Sequence, residues 1–241
     1  MKFCTIRNRA SQAVCVGVAT EEKIFPTRFG SMIELLETCQ NDFSGIEPAG
    51  PALSFDEVEF LACVPRPRSI RDFYAFEAHV RNARQKRGLE VPPEWYEFPV
   101  FYFSNHQAVI GPFEPLRKPR WTAMLDYELE LACVIGKNGI NISREEAEEY
   151  IAGYCIMNDW SARDEQMREV KVGLGPAKGK DFATTLGAFL VTKDELSDRK
   201  VGEKLDLEME VYVNSKRYGG GNFKTIHYSF AQMIERASRD V

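Results

Sequence analysis

The stretch LDYELEL at residues 125–131 alternates apolar and acidic side chains. Successive side chains of a β-strand point to opposite faces, so the pattern predicts a strand with Asp126, Glu128 and Glu130 on one face. Same-face neighbours lie about 7 Å apart, and the three carboxylates repel one another unless a cation lies between them. Hard oxygen ligands suit Mg²⁺, Mn²⁺ or Ca²⁺. A metal site on this strand is therefore one interpretation.

The same spacing returns in LDLEMEV at residues 205–211, which places Asp206, Glu208 and Glu210 on one face. Two such strands can hardly both be metal sites. A solvated strand face is the alternative interpretation of either segment, and the pattern alone does not choose between them.

Length and composition limit the fold. With 241 residues and 44% hydrophobic content, the chain can bury the core of one large domain, or of a large domain with a smaller appendage. Composition alone indicates only a mixed α and β class. A small N-terminal domain over residues 1–65, followed by a second domain over 66–241, is the division that the prolines favour. These prolines are Pro48, Pro51, Pro65 and Pro67.

Charge and cysteine content exclude several classes of protein. The net charge is −5 and the basic residues are scattered, which argues against a nucleic-acid surface. No apolar run approaches the roughly 20 residues that span a bilayer. Six cysteines without a CxxC pair indicate reduced thiols, so we expect a cytoplasmic protein that binds neither nucleic acid nor membrane.

Local signals predict several elements. Ser143 with Glu146, and Ser229 with Gln232, have the spacing of capping boxes at helix starts. The predicted elements are helices over 32–39 and 73–87, a strand over 100–103, a helix from Ser143 to about Ile151, a buried strand over 154–157, and a helix after Ser229.

Polar residues follow the predicted buried strand. The segment NDWSARD at 158–164 lies at the strand's C-terminal end, where active-site loops are often supported. The alternative is a helix start capped by Asp159 or Ser161. A glycine-rich stretch over 173–180 then carries Lys178 and Lys180, and it matches neither a Walker loop nor a dinucleotide fingerprint.

Histidine is scarce, and His79, His106 and His227 are the candidates for a base near neutral pH. The sequence has no Gly-x-Ser-x-Gly elbow and no zinc-site spacing of His and Cys. A metal-bound or histidine-activated water is then the simplest nucleophile.

Taken together, ordered segments from about residue 70 to 192 resemble the fumarylacetoacetate hydrolase family. The matching segments are Arg71-Asp72-Phe73-Tyr74, His79, Pro93-Glu94-Trp95, residues 126–130, residues 158–164 and Gly179-Lys180-Asp181-Phe182-Ala183-Thr184-Thr185. The resemblance implies an α+β fold that is mainly β, a mixed β-sandwich roll with a small N-terminal domain, assembled as a homodimer.

The resemblance also implies a set of site residues, and it selects the first acidic strand over its twin. The implied metal ligands are Asp72, Glu128, Glu130 and Asp159, and Lys180 and Thr184 are expected beside the metal, where Lys180 offsets negative charge. Substrate contacts are expected from Tyr74, Arg163 and Gln166. His79 is expected to activate water. Mg²⁺ is the expected ion, with Mn²⁺ or Ca²⁺ as alternatives.

The chain departs from the family pattern in three places. Residues 167–170 read Met-Arg-Glu-Val where fumarylacetoacetate hydrolases proper carry a substrate-binding tyrosine. Gly88 follows Arg87 where the family enzyme places a substrate arginine. The sequence ends at Val241, so the catalytic β-roll domain over 66–241 is expected to lack the family's C-terminal strands.

Three functions follow as hypotheses. The first is a metal-dependent hydrolase that cleaves a carbon–carbon bond in a diketo acid or acylpyruvate, with a small keto acid as its partner. The second is a 2-keto acid decarboxylase, isomerase or dehydratase that uses the same metal-stabilised enolate. The third is a catalytically silent binding protein that keeps the fold.

Overall fold

The computed structural model describes residues 1–85 and 88–241, and these form mostly strands with a few short helices. The helices are α1 (Met32–Cys39), α2 (Glu77–Gln85), α3 (Ala147–Tyr150), α4 (Arg163–Lys171) and α5 (Phe230–Ala237). The strands are β1 (Lys2–Asn8), β2 (Val14–Ala19), β3 (Ile24–Pro26), β4 (Val58–Phe60), β5 (Ile70–Phe73), β6 (Phe101–Ser104), β7 (Val109–Ile110), β8 (Leu125–Asp126), β9 (Leu129–Ile135), β10 (Ile151–Asp159), β11 (Ser161–Ala162), β12 (Thr184–Leu186), β13 (Phe189–Thr192), β14 (Lys200–Val201), β15 (Lys204–Leu205), β16 (Glu208–Val213) and β17 (Lys216–Asn222). The expected mixed α and β class, dominated by sheet, is confirmed.

The chain divides into two compact units, each discontinuous in sequence. The first unit contains residues 1–70, 104–137 and 151–195, and the second contains 71–103, 138–150 and 196–241. The small N-terminal domain over residues 1–65 and the catalytic domain over 66–241 remain predictions. The β-sandwich roll remains a prediction.

A nine-stranded sheet forms the first unit. Its strand order is β3-β2-β1-β13-β10-β12-β7, with β4 also paired to β1 and β9 to β10. The pairing of β12 with β7 is parallel, whereas β1 and β13 run antiparallel with Lys2 opposite Val191. A side chain at Gly153 of β10 would place its Cβ 2.1 Å from the Val191 carbonyl oxygen, so the contact between β10 and β13 requires glycine.

The core of this unit lies between the sheet and α1. Ser31 caps the helix, its side chain accepting the Glu34 amide at 3.2 Å, and Met32 and Leu35 are fully buried. They pack in one cluster with Phe3 of β1 and Leu190 of β13. Burying each such side chain stabilises the fold by about 1.5–3 kcal/mol, so α1 fixes one face of the sheet.

The acidic segment 125–131 is not one continuous strand, so that part of the prediction was wrong. β8 pairs with β11, β9 pairs with β10, and Tyr127 and Glu128 lie between the two strands. The Glu128 amide donates to the Asn158 side-chain oxygen at 3.1 Å instead of to a strand partner. The change of partner strand causes the break, and the break falls at an acidic residue.

Most of the local predictions are confirmed in existence but differ in extent. The helix over 32–39 and the capping box at Ser229 are present as predicted. The capping box predicted at Ser143 is not formed: its hydroxyl donates to the Glu146 side chain at 2.7 Å, and the helix is only α3, which begins at Ala147 and ends where β10 begins at Ile151. The helix predicted over 73–87 begins at Glu77, and Arg87 lies outside the described residues.

The second unit contains the twin acidic segment, on β16. Glu208 and Glu210 are exposed there, and Glu210 pairs with Arg217 at 2.7 Å. Asp206 pairs with Lys224 at 2.9 Å. These contacts are those of a solvated strand face. Across residues 1–85 and 88–241, no helix has the length and apolarity that crossing a bilayer requires.

Candidate active site

Two paired strands of the first unit, β10 and β12, and the segment between β8 and β9 bring polar side chains into one row. Thr184 of β12 lies opposite Asp159 at the end of β10. The Asp159 amide in turn donates to the Glu128 carbonyl oxygen at 3.1 Å. Directly opposed residues of paired strands point to the same face of the sheet. Thr184 and Asp159 therefore share one face, and Glu128 extends this row through its backbone contact with Asp159.

Lys180 lies within this row. Its ammonium forms an ion pair with the Asp159 Oδ2 atom at 2.8 Å and a second, short ion pair with the Glu128 Oε2 atom. The side chains of Lys180 and Asp159 are 3% and 0% exposed, and that of Glu128 is 15% exposed. One buried ammonium is thus the counter-ion of two carboxylates, one fully buried and one largely buried.

The surroundings keep Lys180 protonated. Burial on its own lowers the pKa of the ammonium, but the charges of Asp159 and Glu128 outweigh it, and the pKa is raised above its usual value. A lysine with a raised pKa donates hydrogen bonds and supplies positive charge, but it does not accept protons near neutral pH. Lys180 is therefore the positive charge between the two carboxylates.

Arg163, the first residue of α4, contacts the other oxygen of the same glutamate. Its Nη1 atom donates to Glu128 Oε1 at 2.6 Å and to Gln166 Oε1 at 3.0 Å, and its Nε atom donates to Asp126 Oδ2 at 2.7 Å. Burial by itself raises the pKa of Glu128, yet the charges of Lys180 and then Arg163 bring it below its usual value. Glu128 therefore stays ionised with both oxygens held.

Six predicted site residues are accordingly close together in the first unit. Glu128, Asp159, Lys180, Arg163 and Gln166 belong to one network of contacts, and Thr184 is the cross-strand neighbour of Asp159. Glu130 lies two residues beyond Glu128, half-buried on β9 and opposite Met157. Its place as a ligand remains a prediction, as do the substrate contacts of Arg163 and Gln166.

The remaining predicted residues belong to the second unit. Asp72 is half-buried on β5, which pairs with β6. Tyr74 follows that strand, and its carbonyl oxygen accepts the Trp95 indole N–H at 2.7 Å. His79 is exposed on α2, with its ring edge-on to the Tyr74 ring at a centroid distance of 5.4 Å. The roles of these residues remain predictions.

The other two histidines have different surroundings. His227 packs among aromatic rings, with centroid distances of 4.8 Å to Trp95 and 4.6 Å to Tyr228. His106 lies half-buried in the turn after β6. An aromatic cage favours a packing role for His227. His79 is the most exposed of the three histidines.

The chemistry of the network fits a divalent cation. Within residues 1–85 and 88–241, no three His, Cys, Asp or Glu side chains converge closely enough to hold an ion. Glu128 and Asp159 nevertheless supply carboxylate oxygens at one point, and hard oxygen donors are the ligands of Mg²⁺ and Ca²⁺. Asp126, Glu128 and Asp159 carry three negative charges against two positive charges on Lys180 and Arg163. The network is anionic.

Sequence reasoning missed the residues that support this row. Asn158 holds the Glu128 amide where the acidic strand is interrupted, and the Trp160 indole N–H donates to Thr185 Oγ1 at 2.8 Å. An asparagine between a buried strand and Asp159 is the signal that could have indicated a backbone contact, because its amide oxygen substitutes for a strand partner. The partner itself depends on a residue 30 positions away.

The fold and this site define an α+β protein whose central sheet carries buried carboxylates around one lysine. Residues 68–241 match the profile of the Fumarylacetoacetate (FAA) hydrolase C-terminal family. Because this match covers most of the chain, the chain belongs to that family, as the resemblance of its motifs predicted.

Similar proteins agree with this assignment. A Burkholderia ambifaria protein provisionally named a hydrolase is 32% identical over 191 residues, which are 78% of this chain and 62% of the relative. The chain thus spans 62% of the length of the curated relatives it matches.

Solved structures show the same fold. Fumarylacetoacetate hydrolase from Exiguobacterium antarcticum has a TM-score of 0.76 at 23% identity, covering 100% of this chain and 82% of that one. A 5-carboxymethyl-2-hydroxymuconate delta-isomerase from Mycobacterium smegmatis has a TM-score of 0.72 at 23% identity, covering 99% and 82%.

Proposed function

We propose that this protein is a metal-dependent hydrolase that cleaves a carbon–carbon bond in a diketo acid or acylpyruvate. The observation that supports this most is the buried Lys180 ammonium between Glu128 and Asp159. Burying three charges is costly, and a fold keeps such a group only where the charges are paired. Perturbed, buried charges on one sheet face are typical of functional sites.

The proposed ion would be held by acidic residues. Glu128, Glu130 and Asp159 of the first unit would supply ligands, and the family resemblance implies Asp72 as a further one. Mg²⁺ is the first candidate, with Mn²⁺ or Ca²⁺ as alternatives. When bound, such an ion polarises the carbonyl groups of a keto acid and stabilises the enolate leaving group.

Lys180 would supply fixed positive charge at the reacting centre. Because its pKa is raised, it stays a donor throughout the reaction and neutralises charge that develops on a substrate oxygen. Its ammonium is already held by two carboxylates, so little reorganisation is needed when the substrate binds. Thr184, buried beside Asp159, would be a second hydrogen-bond donor at the same face, through its hydroxyl.

Arg163 would orient Glu128 and complete the rim of the substrate site. Three of its short hydrogen bonds are made within the network, so its first effect is to fix the carboxylate of Glu128. Gln166, one turn along α4, and Tyr74 would contact the substrate. The exposed imidazole of His79 is the base that would activate the attacking water.

The test is a panel of acylpyruvates and 1,3-diketo acids with Mg²⁺, Mn²⁺ or Ca²⁺, or with chelator. We expect metal-dependent loss of the enol absorbance and two carbon fragments, one of which takes up oxygen from labelled water. A K178M variant is the matched control for K180M, because Lys178 pairs with exposed Asp181 at 2.8 Å. Absence of metal-dependent turnover for every compound would overturn the proposal.

A second candidate keeps the site and changes the reaction. The structural neighbour from Mycobacterium smegmatis is named as an isomerase, and an enolate also serves isomerisation, decarboxylation or dehydration of a 2-keto acid. Product analysis separates the two, since only hydrolysis consumes water and releases two carbon fragments. H79A should abolish hydrolysis while leaving metal-driven decarboxylation partly intact, and equal losses in both reactions would argue against this division.

Assembly and location are part of the same proposal. We expect a homodimer in the cytoplasm, with a keto acid as the small-molecule partner. Light scattering at micromolar concentration would test the dimer, and a mass matching 27.5 kDa at all concentrations would contradict it.

A further inference from the structure

The carboxylate of Glu169 is surrounded by backbone amides of the loop after α4. The amide of Lys178 donates to Glu169 Oε1 at 2.5 Å, and the amide of Ala177 donates to Oε2 at 3.1 Å. The amide of Gly179 donates to both oxygens at 3.2 Å. One side chain thus holds three successive amides, an arrangement that binds anions strongly because every donor dipole points at the charge.

This glutamate lies where a helix disfavours it. Glu169 is in the last turn of α4, which ends at Lys171. The carbonyl end of a helix carries partial negative charge, so an acidic residue there is unfavourable unless something offsets it. The three loop amides provide that offset. Because this helix position is unfavourable for glutamate, we infer that the side chain serves to hold the loop.

Other contacts of the loop leave little freedom. The Gly179 carbonyl oxygen accepts the Ala162 amide at 2.8 Å, and a Cβ on Gly179 would lie 2.9 Å from the Gln166 nitrogen. The Lys180 amide donates to the Ala177 carbonyl oxygen at 3.1 Å. Gly179 is therefore packed closely against α4, and Lys180 is the next residue in the chain.

We propose that Glu169 is a positioning residue that places the Lys180 ammonium between Glu128 and Asp159. Its carboxylate fixes residues 177–179, and the single peptide from Gly179 to Lys180 carries that constraint to the site. The effect on position stands on the geometry alone. The effect on turnover rests on the proposed function.

The test of position is chemical labelling of Lys180, measured by peptide mass spectrometry with an amine-acylating reagent. In the wild type the buried ammonium reacts slowly. In E169A its labelling rate should rise by about tenfold, because the loop opens more often. E165A is the matched control, since Glu165 is an acid on the same helix whose partner is exposed Arg168 at 2.9 Å.

The labelling result decides the first part. Labelling of Lys180 that stays at the wild-type rate in E169A, or that rises equally in E165A, overturns the proposal. If E169A does not fold, E169Q keeps one acceptor oxygen and turns an NH₂ group toward the same amides. Labelling should then rise by about threefold, and a folded E169Q that labels like wild type also overturns it.

Turnover decides the second part, in a cycle with K180M. E169A should lower kcat by about tenfold with KM within about twofold, and in the K180M background it should cause no further loss. A loss of equal size in both backgrounds shows that Glu169 does not act through Lys180. If the wild type turns over no compound of the panel, the proposed function fails while the labelling still decides the position of Lys180.

Discussion

Replacing Lys180 by methionine tests whether one ammonium holds the two buried carboxylates together. Both carboxylates are within hydrogen-bonding reach of the same nitrogen, so their nearest oxygens lie within about 6 Å of each other. At an effective dielectric constant of about 20, two negative charges at that distance repel by about 3 kcal/mol. Removing one partner of a buried ion pair costs about 3–5 kcal/mol. We expect K180M to lose stability in this range.

Urea unfolding in chelator would measure the loss, with K178M as the control. The ion pair of Lys178 with Asp181 is exposed, so K178M should cost less than about 1 kcal/mol. Adding Mg²⁺ or Mn²⁺ should restore stability in K180M more than in the wild type, because a divalent cation replaces the missing positive charge.

The stability of the wild type and of K180M should change with pH in opposite directions. In the wild type the pKa of Glu128 is lowered from 4.5, so its contribution is present above that value and is lost as pH falls through the lower folded pKa. In K180M one buried carboxylate should have a raised pKa and take up a proton, so stability should fall as pH rises. Equal stability of K180M and K178M at pH 8 in chelator would refute the reasoning.

Three further changes test other parts of the structure. G153A should destabilise the protein by about 1–3 kcal/mol or prevent folding, since the Cβ has no room, whereas G175A, with nothing within 4 Å, should melt like wild type in calorimetry. N158A should cost about 1–3 kcal/mol in urea unfolding, because the amide at the break between β8 and β9 loses its acceptor, and an unchanged midpoint would contradict this. The hydrogen bond from Arg144 lowers the pKa of Glu203 from 4.5, so that pair's contribution, below about 1 kcal/mol, should be present above 4.5, be lost as pH falls through the lower folded pKa, and be absent in E203Q.

Local chemistry explains which parts of the fold the sequence predicted. The capping box at Ser229 depends on residues three positions apart, and it forms; at Ser143 only a side-chain hydrogen bond to Glu146 forms. The length of the helix after Ser143 was not predictable in the same way, because it is set by where β10 begins. Alternation in residues 125–131 predicted strand but not its interruption, since the change of partner strand depends on residues far along the chain.

The site was predictable only through the resemblance. The segments at 125–131 and 205–211 alternate in the same way, so alternation does not distinguish them. In the structure Glu128 contacts Lys180 and is 15% exposed, whereas Glu210 is exposed beside Arg217. Ion pairs of this kind depend on loops that bring distant residues together, so the periodicity of the sequence does not predict them. The loop contacts of Glu169 were missed for the same reason.

The pairing of β1 with β13 has a consequence for synthesis of the chain. Val191 of β13, the partner of Lys2, is synthesised 189 residues after it. Until then β1 has only β2 and β4 as neighbours, and the part of its edge at residues 2–4 stays unpaired. Such long-range pairing slows folding and leaves an exposed edge open to aggregation. The nascent protein is therefore expected to need chaperone protection until β13 has emerged.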